Sequence, residues 1–186
     1  MGNPENMQES TCFFGKLFRE WRLAADISLW GLALKMSYHI RNLQRIEKGE
    51  QQPGVNLALR LLNAIGAEPG AFMQKLADEC LSSLPQSLSP MGHVTISYEM
   101  PQMKEGQKSL FGLFLVQARV AGAVSQTAMA KAASYNLRNI NGVESGKQDP
   151  GIMTALALVK TTGVNVADFF HSLYLCWSDA AVLPKN

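Results

Sequence analysis

The stretch SQTAMAKAASYNLRNINGVESGKQDP, residues 125–150, repeats a pattern already present in SLWGLALKMSYHIRNLQRIEKGEQQP, residues 28–53. At an offset of 97 residues the two agree at Ser28/Ser125, Ala33/Ala130, Arg41/Arg138, Glu47/Glu144, Gly49/Gly146 and Pro53/Pro150. Carried outward, the same offset aligns 14–76 with 111–173 without a gap, and 21 of the 63 positions are identical. Many others exchange one apolar residue for another, as in Ile27/Val124, Leu43/Ile140 and Ile46/Val143. Ungapped similarity of this length means a duplicated unit. Two copies held apart by a long spacer do not make a solenoid, whose repeats stack directly on one another.

Each copy reads as five short helices. The first spans about 15–25, or 112–122 in the second copy, with apolar residues at Leu17, Phe18, Trp21 and Leu23. Ser28 and Ser125 have the position and chemistry of N-caps for the second helix, and Asn136 caps the third well where His39 does so weakly. A glycine (Gly49, Gly146) and a trailing proline (Pro53, Pro150) then stop the third helix. A fourth follows to about Ile65, and a fifth starts near Glu68 and near Asn165. Small Ala33 and Ala130 in the second helix allow the third to cross closely.

The third helix has two chemically opposed faces. At about 100° per residue, Ile40, Leu43 and Ile46 share one arc, while Arg41, Asn42, Gln44 and Arg45 fill the neighbouring one. The second copy repeats this with Leu137, Ile140 and Val143 against Arg138, Asn139 and Asn141. Arg can bond guanine O6 and N7 together, and Asn or Gln can do the same with adenine N6 and N7. Glu and Lys, which usually serve only to solvate a helix face, are absent from this arc except for Lys48 at its end.

The combination of N-cap Ser, helix-2 Ala, an apolar-Glu-x-Gly ending and a following Pro resembles the helix-turn-helix of the phage-repressor and Cro-like (XRE-type) family. The resemblance covers both copies, about two-thirds of the chain. It implies a mainly α fold of two lambda-repressor-like domains and a chain that binds double-stranded DNA. It places base contacts at His39, Ile40, Arg41, Gln44 and Arg45, and at Asn136, Leu137, Arg138 and Asn141. Asn42 and Asn139 lie on the same arc, and Gln126 takes the place of a phosphate-contacting Gln. Lys48 and Lys147 follow the third helix, near where the DNA backbone should pass. The family also pairs an arginine of helix 1 with the glutamate ending helix 3, here Arg22 with Glu47 and Arg119 with Glu144, so these four belong to the fold and not to the interface. There are two departures: Leu29-Trp30 where the first copy should show the phosphate-contacting Gln, and Gly142 inside the third helix of the second.

Charge agrees with this division. The first copy holds nine Lys/Arg against five Asp/Glu and the second five against three, although the whole chain is only +2. Basic residues thus concentrate in the units that would meet phosphates. Three distant cysteines without a CxxC, and three histidines without ligand spacing, suggest reduced thiols, a cytoplasmic protein and no metal site. No long apolar run suits a membrane span. Phosphate-cradling and nucleophile-elbow motifs are missing, and neither a cofactor nor a small-molecule ligand is expected.

The domain plan is an N-terminal segment 1–13, a first domain 14–80, a linker 81–110, a second domain 111–174 and a tail 175–186. In the linker, Val94, Ile96, Tyr98 and Met100 alternate with Thr95, Ser97 and Glu99, which predicts one short strand over 93–100. A lone strand needs a partner for its backbone groups, and pairing with the same strand of a second chain would make a homodimer. The function expected is sequence-specific transcription regulation, as a repressor, with the two copies serving as a pseudo-dimer within one chain or as half of that larger assembly. The alternative is a protein-interaction or antitoxin-like module that keeps the scaffold without reading DNA.

Overall fold

The computed structural model describes residues 4–80, 83–90, 92–98, 103 and 105–179, with backbone alone for 4–12 and 179. The first repeat holds α1 (Pro4–Ala24), α2 (Leu29–Met36), α3 (Ile40–Glu47), α4 (Val55–Ala64) and α5 (Pro69–Glu79). The second holds α6 (Phe111–Ala121), α7 (Gln126–Ala132), α8 (Leu137–Glu144), α9 (Ile152–Thr161) and α10 (Val166–Asp179). The protein is therefore mainly α, and the two repeats carry equivalent helices. Two expected boundaries move: α1 begins inside the supposed N-terminal segment, and α10 continues beyond 174.

Local chemistry sets the helix ends. Ser28 Oγ accepts from the N–H of Gly31 at 2.9 Å, and Ser125 Oγ accepts from that of Ala128 at 3.1 Å. Asn136 Oδ1 accepts from the Arg138 N–H at 2.8 Å, whereas the His39 side chain makes no cap bond. Past α3 and α8 the backbone turns through left-handed Gly49 (φ 74°) and Gly146 (φ 72°), a conformation that costs glycine nothing.

Helix 1 of each repeat lies directly on the end of helix 3. A Cβ added to Gly15 would stand 2.1 Å from the Ile46 carbonyl oxygen, and one on Gly112 only 1.6 Å from that of Val143. Hydrogen at these two positions lets the backbones touch. The cores close around them with Phe14, Phe18 and Phe72 in one repeat and Phe111, Phe114, Phe169 and Phe170 in the other, all fully buried.

The repeats dock on each other about a local two-fold axis. The Val55 N–H donates to the Pro150 carbonyl at 3.1 Å, and the equivalent Ile152 N–H donates to the Pro53 carbonyl at 2.9 Å. Gly54 and Gly151 form an antiparallel bridge between these bonds. Side chains extend the exchange: Asp149 Oδ2 accepts from the Asn56 N–H at 3.1 Å, capping α4 from the other repeat, while Oδ1 accepts from Ser109 Oγ at 3.0 Å. Burial pushes the Asp149 carboxyl above the usual carboxylate range, against the lowering effect of those two bonds. The fifth helices complete the interface. α5 and α10 pack so closely that a Cβ on Gly70 would stand 2.6 Å from the Ala167 carbonyl oxygen.

The expected strand is corrected. Within 93–98, the described part of the segment, only Val94 makes a bridge, to Val164 of the same chain, with its N–H donating to the Gly163 carbonyl at 2.9 Å. Val94 and Tyr98 pack on the second repeat and Ile96 packs against the core, so the described part of the segment gives no ground for pairing two copies through 93–100; Glu99 and Met100 lie outside the described residues. The alignment supplies the reason. Trp21 stands edge-on to Phe72 at 5.3 Å in the first repeat, but its counterpart in the second is Ala118. Tyr98 fills that gap, edge-on to Phe169, the counterpart of Phe72, at 5.6 Å, and stacked on Phe114 at 4.9 Å. Its hydroxyl is buried without a hydrogen-bond partner. Removing that hydroxyl with Tyr98→Phe should leave the ring packing intact and raise stability by about 1 kcal/mol, which thermal unfolding would register as a Tm increase of roughly 2–4 °C.

Candidate nucleic-acid interface

In both repeats the buried side of helix 3 is apolar up to its last residue: Leu43 and Ile46 in α3, Ile140 and Val143 in α8, each 0–1 % exposed, with Glu47 and Glu144 closing it. Arg22 Nε and Nη2 grip both oxygens of Glu47 at 2.6 and 3.1 Å, and Arg119 holds Glu144 with the same two distances. The remaining guanidinium nitrogen donates to the Ile27 carbonyl in one repeat and the Val124 carbonyl in the other. Such a planar, two-pronged clamp fixes the roll of helix 3 about its own axis. Its opposite face consequently points outward.

That face carries most of the expected residues. His39, Arg41, Gln44, Arg45 and Lys48 are exposed in the first repeat, and Asn136, Arg138, Asn141 and Lys147 in the second. Asn42 and Asn139 are half-buried at the edge of the face. Ile40 is half-buried and packs against the core, while Leu137, its equivalent, is 40 % exposed. Lys48 has only a loose 3.9 Å pairing with Glu50 in the open. Within each repeat, positions 44 and 45, or 141 and 142, lie one turn beyond position 41, or 138, on one strip of helix, with side chains at all of them except Gly142. Because the repeats exchange equivalent backbone bonds at the turns just after α3 and α8, the two strips are related by the same local two-fold.

Gln126 behaves differently from its assignment as a phosphate contact. It is half-buried, and its Nε2 donates to Glu144 Oε2 at 2.6 Å, so the amide is held by the Arg119–Glu144 clamp. Leu29 replaces it in the first repeat and packs against the core, leaving Trp30 and Leu34 62 % and 64 % exposed on the outer side of α2. Their counterparts in the second repeat are Thr127 and Lys131.

Two further polar groups reach this region. Lys108, exposed, lies beside the turn after α8, where its N–H donates to the Gly146 carbonyl. Gln148, also exposed, folds back over Gly142. Lys108 sits in the linker, where no spacing rule connects it to the repeat. The one sign in the sequence that another side chain is wanted at Gln148's position is the missing side chain at Gly142.

Cys80 is buried, and burial, then the charge of Glu79, pushes its thiol up to about 11, so it is a poor nucleophile. No cluster of metal-ligating side chains exists among the described residues, and none of their helices is long and apolar enough to cross a membrane. No family model, no curated protein and no solved structure matches the chain.

Proposed function

We propose that this chain is a sequence-specific regulator of transcription, of repressor type, that binds duplex DNA with two helix-turn-helix units in a single polypeptide. The observation that carries the reading is the outward strip of guanidinium and amide groups on α3 and α8, duplicated about a local two-fold and clamped from behind by the Arg–Glu pairs. Base pairs in the major groove offer donor and acceptor pairs that these side chains match, and a two-fold arrangement of recognition helices suits two half-sites about 34 Å apart. Lys48, Lys147 and Lys108 would contact phosphates on either side. The chain acts as its own dimer, and the site is cytoplasmic DNA.

Selection of bound duplexes from a random library, using the full chain, tests the reading. It should return one motif with two half-sites. Arg138→Ala should then weaken binding to that motif by about 1–3 kcal/mol and relax the preference at one base pair. Lys147→Ala should weaken binding to every sequence alike and reduce the steepness of the salt dependence. Equal binding of wild type and both variants to all duplexes would overturn the proposal.

The exposed Trp30 and Leu34 favour a second reading in which the first repeat contacts a protein. A protein-only module at net charge +2 would pass through immobilised duplex DNA without salt-dependent retention.

A further inference from the structure

We infer that Gln148 reads a base in the half-site bound by the second repeat, taking over the place of the side chain that Gly142 lacks; the inference rests on the DNA-binding reading above. In the first repeat the strip on helix 3 is Arg41, Gln44 and Arg45. In the second it is Arg138, Asn141 and Gly142, so the third position of the strip is empty as far as helix 3 is concerned. Gln148 covers it. A Cβ built on Gly142 would lie 2.7 Å from the Gln148 Cδ, 2.9 Å from its Oε1 and 3.1 Å from its Nε2, so the whole amide group rests over the Gly142 Cα.

The loop can do this because it comes back on α8: the Gln148 N–H donates to the Gly142 carbonyl at 3.1 Å. In the first repeat the corresponding bond, from the Gln51 N–H to the Arg45 carbonyl at 3.2 Å, is also made. There position 45 carries an arginine side chain where the second repeat has only the Gly142 hydrogen, so the loop glutamine shared by the two repeats meets a side chain and not a bare Cα. The duplicated backbone is the same, and deletion of one side chain hands the position to another. Gln148 is exposed, and its amide makes no hydrogen bond among the described residues, so both Oε1 and Nε2 are available together. A free primary amide beside Arg138 and Asn141 matches the N6 donor and N7 acceptor of adenine. The two half-sites of one motif are then unequal: a position taken by guanidinium in the first is read as adenine in the second.

Binding of the full chain to its library-selected duplex, and to that duplex with each base pair of the second half-site changed in turn, tests this. Gln148→Ala should lower affinity roughly tenfold and flatten the preference at a single base pair. Gln148→Glu, which accepts but does not donate, should move that preference from adenine to cytosine, a change that no purely structural role would produce. Gln51→Ala should leave the motif unaltered. If Arg138→Ala weakens binding while Gln148→Ala stays within twofold and Gln148→Glu keeps adenine, Gln148 has no reading role and the regulator proposal stands. If the wild-type chain selects no motif at all, both fall together.

Discussion

Glu47→Gln should destabilise the chain by about 3–5 kcal/mol, measured as a fall in the denaturant midpoint with an unchanged slope. Arg22 is 5 % exposed and its three guanidinium nitrogens are spent on Glu47 and the Ile27 carbonyl. A neutral amide removes the opposing charge and turns an N–H toward a guanidinium that has only N–H groups to offer. The charge that remains cannot reach water without parting α1 from α3. Replacing both partners, Arg22→Met with Glu47→Leu, should recover most of the loss, because two apolar groups of similar volume leave no buried charge, and only the Ile27 carbonyl loses its donor. The Arg119–Glu144 pair should respond in the same direction but less, since the Arg119 side chain is 16 % exposed. A single variant within 1 kcal/mol of wild type would mean that the clamp is an ordinary surface pair.

Gly70→Val should cost about a hundredfold in affinity for a duplex carrying both half-sites and leave binding to a single half-site unchanged. The Gly70 Cα faces the Ala167 carbonyl across the junction of α5 and α10, and a side chain there would push the two helices apart. Each repeat keeps its own Arg–Glu clamp. What is lost is the fixed relation between the two strips, which makes the second contact intramolecular and preorganised. Wild-type affinity of the variant for the two-site duplex would show that the docking has no part in recognition.

Much of each repeat was legible from short-range chemistry. A Ser three residues ahead of an N–H, a glycine followed by a proline, and an apolar arc beside a polar one leave marks within a dozen residues, and Ser28, Asn136, Gly146 and Leu43 all stand where those marks put them. The Arg22–Glu47 pair was legible through resemblance and through its recurrence as Arg119–Glu144. The docking was not. Gly54 and Gly151 each follow a proline, and nothing in their sequence surroundings says that each will face its own counterpart. Alternation around Tyr98 looks the same in a free strand and in an extended segment laid on a core, so the sequence does not tell the two apart. The substitution of Ala118 for Trp21, visible in the alignment, was the clue to where a ring from elsewhere would be needed. The bond from Gln126 to Glu144 is not legible from the resemblance, which gives Gln126 a phosphate contact, because its partner lies 18 residues away.

The exchange of bonds between Pro53–Val55 and Pro150–Ile152 has a consequence for dosage. Regulators assembled from separate subunits occupy their operators with the square of concentration when scarce, because two molecules must first meet. If the chain is the regulator proposed above, its two halves are joined at synthesis, and occupancy should rise with the first power of copy number, without a threshold. A mutation in one half also changes one half-site only, leaving the other free to keep its sequence while the first drifts.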